Sequence, residues 1–109
     1  MFGELVRGDV YALKAPGGAR GHEQDGPRFA VVLQSSDLPL STVIVAPTST
    51  GRMPRSFRPA VVIQAQETAV LVEAMTAIDP EHRLGARVGR LTFDELRAVD
   101  AAIRAVLDV

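Results

Sequence analysis

The chain contains no cysteine and no tryptophan, and its aromatic residues are one tyrosine and four phenylalanines. Without cysteine there can be no disulfide, no thiol nucleophile and no thiolate-held zinc. Only two histidines are present, His22 and His82, far apart and without metal-ligand spacing. Neither a metal nor a cofactor is expected. No apolar run approaches the roughly 18 residues that a membrane helix requires. The opening "MFGELVRGD" also lacks the basic-then-apolar build of a signal peptide. The expectation is a cytoplasmic protein with no membrane partner. A large excess of charge is missing too, since the formal net charge is −1. That argues against a strongly adhesive nucleic-acid binder.

What is present suffices for a core. The chain has 109 residues, 47% of them hydrophobic, which is one domain, residues 1–109, and too little for two. A domain this small buries only about 60–70% of its unfolded-chain surface. A homodimer would relieve that limit and is expected.

"GDVYALKA" fits a first strand, and "APGGARGHEQDGP" is a long irregular loop rich in glycine and proline. "RFAVVLQSS" and "STVIVAPTST" read as nearly continuous apolar strands, with "DLPL" turning between them. "FRPAVVIQA" and "TAVLVEAM", separated by "QE", form a hairpin, and "GARVGRLT" holds one more short strand. "DPEHRLG" offers an aspartate cap, a proline at the first helical position and a glycine stop. In "TFDELRAVDAAIRAVLDV", Thr92 and Glu95 stand in capping-box spacing. Leu96, Val99, Ile103, Val106 and Leu107 then fall on one helix face. The sum is an α+β domain, with five or six mostly antiparallel strands curled into a small barrel and closed by a C-terminal helix.

Two segments carry candidate chemistry. "RGHEQDGPRF" crowds two arginines, a histidine, two acids and a glutamine immediately before an apolar strand. "GRMPRSFRP" holds Arg52, Arg55 and Arg58 without an acid, and such a loop grips phosphates even in a nearly neutral chain.

Taken in order, "RGDVYAL", "GHEQDGPR" running into "FAVVLQ", "TVIVAPTST" and "VLVEAMTAIDPEHRLGARVGRLTFDEL" resemble the MazF/PemK toxins of bacterial toxin–antitoxin systems. The similarity runs from about residue 7 to the end. It implies an SH3-like barrel, a homodimer and a MazE-like antitoxin partner. Most members of the family are metal-independent endoribonucleases that cut single-stranded RNA, while a related branch poisons DNA gyrase.

The resemblance also implies site residues. Arg28 matches the family's catalytic arginine, and a guanidinium suits two phosphate oxygens; read alone, it is a strand-entry arginine that snorkels or pairs with Asp25. His22 matches a position that relatives fill with histidine or serine, so it serves as acid or base, assists, or binds RNA. Glu23 and Gln24 shape the loop or contact bases. Ser49 aligns with a catalytic or phosphate-binding threonine, and Thr48 occupies a usually aliphatic place beside it. Thr48 and Thr50 join the RNA-contact candidates through the hydroxyl-rich strand end. Glu73 matches an acid that one branch uses as base or acid partner, expected partly buried at a strand end. Relatives often show a glutamine and an arginine where this chain has Ala74, Met75, Thr76 and Ala77. Arg52, Arg55 and Arg58 are the backbone-contact candidates, or else the place where an antitoxin docks. Phe57 and Phe29 are the nearest aromatics, with Phe29 directed into the core.

Three functions stay open at this point. The first is an endoribonuclease toxin that cleaves by 2′-hydroxyl attack, leaving 2′,3′-cyclic phosphate and 5′-hydroxyl ends. The second is a gyrase-poison-like toxin without enzymatic activity. The third is a degenerate relative that only binds an antitoxin.

Overall fold

The computed structural model describes residues 4–15 and 28–109. Seven strands are formed among them: β1 (Asp9–Leu13), β2 (Phe29–Val32), β3 (Val43–Ser49), β4 (Ala60–Ile63), β5 (Gln66–Val70), β6 (Thr76–Ile78) and β7 (Leu84–Arg90). A four-residue helix, α1 (Pro80–Arg83), and a long one, α2 (Phe93–Leu107), complete the fold. The strand order is β4-β5-β3-β2-β1-β7, and every pairing between strands is antiparallel.

The sheet splits at β3. Its first half, Val43 to Val45, pairs with β6, while Thr48 and Ser49 pair with β5. One strand therefore belongs to two diverging partners, which curls the sheet into a half-barrel. Curling explains the unbroken apolar run in β2: Ala30, Val31 and Val32 are all 0% exposed, because both faces of the strand are covered. Val31 packs with Val10, Val61, Val70 and Val99 on the α2 side. Ala30 and Val32 pack with Tyr11, Val45 and Leu84 on the other.

α2 is built as its sequence predicts. Thr92 Oγ1 accepts from the Glu95 backbone N–H at 3.1 Å, and Glu95 Oε1 accepts from the Thr92 backbone N–H at 2.9 Å. Val99 and Ala102 are fully buried, with Leu96, Ile103 and Val106 packed beside them. Leu107 departs from the expected face and is 52% exposed, because the helix ends there and Asp108 turns left-handed at φ 58°. The other Glu95 oxygen, Oε2, accepts from Val62 N–H of β4 at 2.8 Å. One carboxylate thus caps the helix and fastens it to an edge strand.

Several expectations need correction. The β4–β5 turn is Gln64–Ala65, with φ of 52° and 64°, while Gln66 and Glu67 are already in β5. Residues with side chains rarely hold two positive φ angles, so no Asn-Gly signal marked this hairpin. β5 stops at Val70, and Val72–Ala74 form a 3-10 turn. β6 was not expected at all, and with it the strands among the described residues number seven. α1 ends at Arg83, so Gly85 is no helix stop but a residue of β7, a seven-residue strand.

Candidate functional site

Arg28 stands half-buried immediately before β2, where its carbonyl accepts from Leu13 N–H at 2.9 Å. The β1–β2 ladder thus reaches Arg28 and fixes its backbone. Side chains alternate along a strand, so Arg28 shares the face of Ala30 and Val32. Ala30 pairs with Pro47. The β2–β3 pairing ends at that pair; continued by two residues, its register would bring Arg28 level with Ser49, on the same face. Ser49 Oγ accepts from Gly51 N–H at 3.1 Å, which closes the turn after β3 and leaves the hydroxyl proton to be donated.

Thr48 alternates to the opposite side and is 2% exposed. That removes it from the RNA-contact candidates: its hydroxyl belongs to the core face, not to the surface beside Ser49. Thr50 is exposed.

Glu73 lies in the 3-10 turn, not at the end of a strand. Ser49 is opposite Ala69, so Glu73 lies four residues further along the chain from that level. Its Oε2 accepts from Arg58 Nε, and Arg58 also lies over the Phe57 ring at 5.0 Å. Arg58 is therefore committed, and Glu73 is not a lone desolvated carboxylate. The loop before it is also constrained, because Arg55 and Arg58 exchange backbone hydrogen bonds of 3.0 and 2.9 Å. Arg52 and Arg55 are exposed. His22, Glu23 and Gln24 lie outside the described residues.

His82 Nδ1 sits 2.8 Å from Asp79 Oδ2 at the start of α1. That hydrogen bond, more than any other cause, holds the Asp79 carboxyl below its ordinary range.

Sequence reasoning missed a second charged group. Asp9, 3% exposed, carries Arg90 Nε on Oδ1 at 2.8 Å and Arg87 Nε on Oδ2 at 3.3 Å. Tyr11, beside it, has its phenol pushed above the ordinary value, first by burial and then by the Asp9 charge, with Arg87 opposing. The one available signal was an acid two residues before Tyr11 in an otherwise apolar strand.

The sequence profile of the PemK-like, MazF-like toxins of type II toxin–antitoxin systems matches residues 6–107. The chain belongs to that family. It is 36% identical over 103 residues to a candidate toxin of Mycobacterium tuberculosis, covering 94% of this chain and 97% of the relative. MazF from Deinococcus radiodurans has the same fold, with a TM-score of 0.78, 19% identity, and coverage of 99% of this chain and all of that one. So does a mycobacterial endoribonuclease solved with its cognate antitoxin, with a TM-score of 0.76, 16% identity and 96% of each chain covered. Membership makes the chain a MazF-like toxin of a type II system, in a family known for endoribonucleases. No helix among the described residues is long and apolar enough to cross a membrane.

Proposed function

We propose that the protein is a metal-independent endoribonuclease that cleaves single-stranded RNA and is restrained by an antitoxin. What supports this reading is Arg28, its backbone fixed at the entry to β2, together with Ser49 at the end of the neighbouring strand β3, which continuation of the Ala30–Pro47 register would bring level with it. A planar guanidinium beside a hydroxyl donor offers what a developing phosphorane needs, namely a cation and a hydrogen bond to its oxygens.

The chemistry is intramolecular in the substrate. The 2′-oxygen forms a bond to the adjacent phosphorus, and the bond from phosphorus to the 5′-oxygen breaks. A base takes the 2′-hydroxyl proton and an acid returns one to the leaving 5′-oxygen. Products are a 2′,3′-cyclic phosphate and a 5′-hydroxyl, and DNA is inert for want of the 2′-hydroxyl. His22 is the proposed proton-transfer group, with Glu23 and Gln24 contacting bases. Glu73 is assigned to holding Arg58, while Arg52, Arg55 and Thr50 meet the RNA strand. Family membership and the antitoxin complex of the mycobacterial endoribonuclease support a toxin neutralised by its own antitoxin. A homodimer in the cytoplasm completes the proposal.

The test is incubation of the purified protein with a long single-stranded transcript in EDTA, beside Arg28→Ala. Cleavage by the wild type, cyclic-phosphate ends and a silent variant are expected. Loss of wild-type cleavage in EDTA overturns the metal-independent mechanism.

A further inference from the structure

The face that carries Arg28 has a second cationic position. The β1–β7 ladder sets Tyr11 opposite Arg87, and the β1–β2 ladder sets Tyr11 opposite Ala30. Residues facing each other across a ladder share a side of the sheet. Arg87, Tyr11, Ala30 and, by alternation, Arg28 therefore all project to one side. Two strand spacings separate Arg87 from Arg28, about 10 Å across the sheet.

Arg87 is held in an unusual way for a surface arginine. Asp9 is enclosed, its side chain 4% exposed, whereas Arg87 and Arg90 are 47% and 57% exposed at the side chain. Two cations on one carboxylate leave a net positive charge at the surface. Arg87 turns Nε and Nη2 toward Asp9, at 3.3 and 3.4 Å. A guanidinium has five N–H donors, so among the described residues the outer edge is left for another anion. Arg58, paired one-to-one with Glu73, has no such surplus of charge.

We propose that Arg87 is a further backbone-phosphate contact for the RNA strand held at Arg28, positioned for it by the buried Asp9. The proposal rests on the RNA-directed reading of the Arg28 face. It gives the bound strand a second backbone contact, on β7. The ligand chemistry is a phosphodiester backbone, so the contact carries no sequence preference.

The test is binding of a labelled random-sequence 2′-O-methyl RNA, which cannot undergo 2′-hydroxyl attack, over a range of salt concentrations. One single-strand phosphate contact contributes about 0.7 to the slope of log affinity against log salt. Arg87→Ala is expected to lose about that much. Arg87→Lys and the α2 variant Arg104→Ala should keep the wild-type slope. Asp9→Asn makes the chain more positive and is nevertheless expected to bind more weakly, because the anchor is lost. An unchanged slope in Arg87→Ala overturns the contact, as does an equal loss in Arg104→Ala. Tighter binding by Asp9→Asn overturns the positioning role. Thermal melts of each variant separate misfolding from lost contact, and Arg87→Lys tests the site with charge retained. Cleavage of an unmodified transcript is scored alongside. No cleavage with the slope loss intact overturns the nuclease reading alone, and a wild type that binds no RNA overturns both.

Discussion

Arg58 donates from Nε to Oε2 of Glu73, joining the arginine-bearing loop to the 3-10 turn that follows β5. Two residues that sequence reasoning had assigned separately, one to RNA and one to proton transfer, are thus partners. With side chains 21% and 31% exposed, the pair is partly buried, and the cost of desolvating both charges offsets much of their attraction, so its contribution to stability is modest.

The first prediction follows from that pairing. Loss of a general acid or base costs about 10²–10⁴ in rate. Glu73→Gln should instead cost no more than about tenfold, with Arg58→Ala giving a similar loss and the double variant little more, as expected of residues acting together. Single-turnover cleavage of a transcript checks it. A loss of the larger size in Glu73→Gln alone would restore Glu73 to proton transfer.

Arg28 is predicted to matter for the chemical step. Removing one preorganised donor to developing charge costs about 10²–10³ in kcat. Arg28→Ala should show at least that loss with little change in melting temperature, since its side chain is only half-buried. Arg28→Lys should recover little, because a point charge cannot span two phosphate oxygens. Rates at saturating RNA, compared with rates at low RNA, check this.

How much of this was legible depends on the range of the interaction. Thr92 and Glu95 stand three residues apart, and their box was readable directly. The apolar run of β2 announced a strand covered on both sides. Gln64 and Ala65 gave no turn signal, because their left-handed backbone is imposed by β4 pairing with β5. Asp9 meets Arg87 and Arg90 across 78 and 81 residues, and nothing local foretells such a meeting. Thr48 and Ser49 are adjacent hydroxyl residues, and only the register says which one faces the core.

Glu95 offers a stability prediction. Its carboxylate completes the α2 cap and accepts from Val62 N–H on the edge strand β4. A lost cap costs about 1 kcal/mol, and a lost hydrogen bond to a charged group about 1.5–3. Because the effects overlap, Glu95→Ala should cost about 2–3 kcal/mol in urea unfolding. Glu95→Gln, which keeps an acceptor, should cost less.

Thr68 points the other way. It is 5% exposed, and its Oγ1 is buried without a hydrogen-bond partner among the described residues. An unsatisfied buried hydroxyl costs about 1–3 kcal/mol. Thr68→Val removes the hydroxyl at similar shape, so the urea midpoint should rise at an unchanged slope. A fall would mean that the hydroxyl is satisfied in solution.

Tyr11 gives the pH prediction, and burial is its first cause. Its folded phenol ionises above the ordinary value of 10.0. In alkali the unfolded chain therefore releases this proton first, and linkage then favours unfolding. The stability in question is fully present below about pH 10 and is lost as pH rises through the higher folded value. Tyr11→Phe has no phenol to ionise, so its urea midpoint should fall less steeply with pH above about 10. Parallel slopes for the two proteins would show that the phenol ionises equally in the folded and unfolded chains.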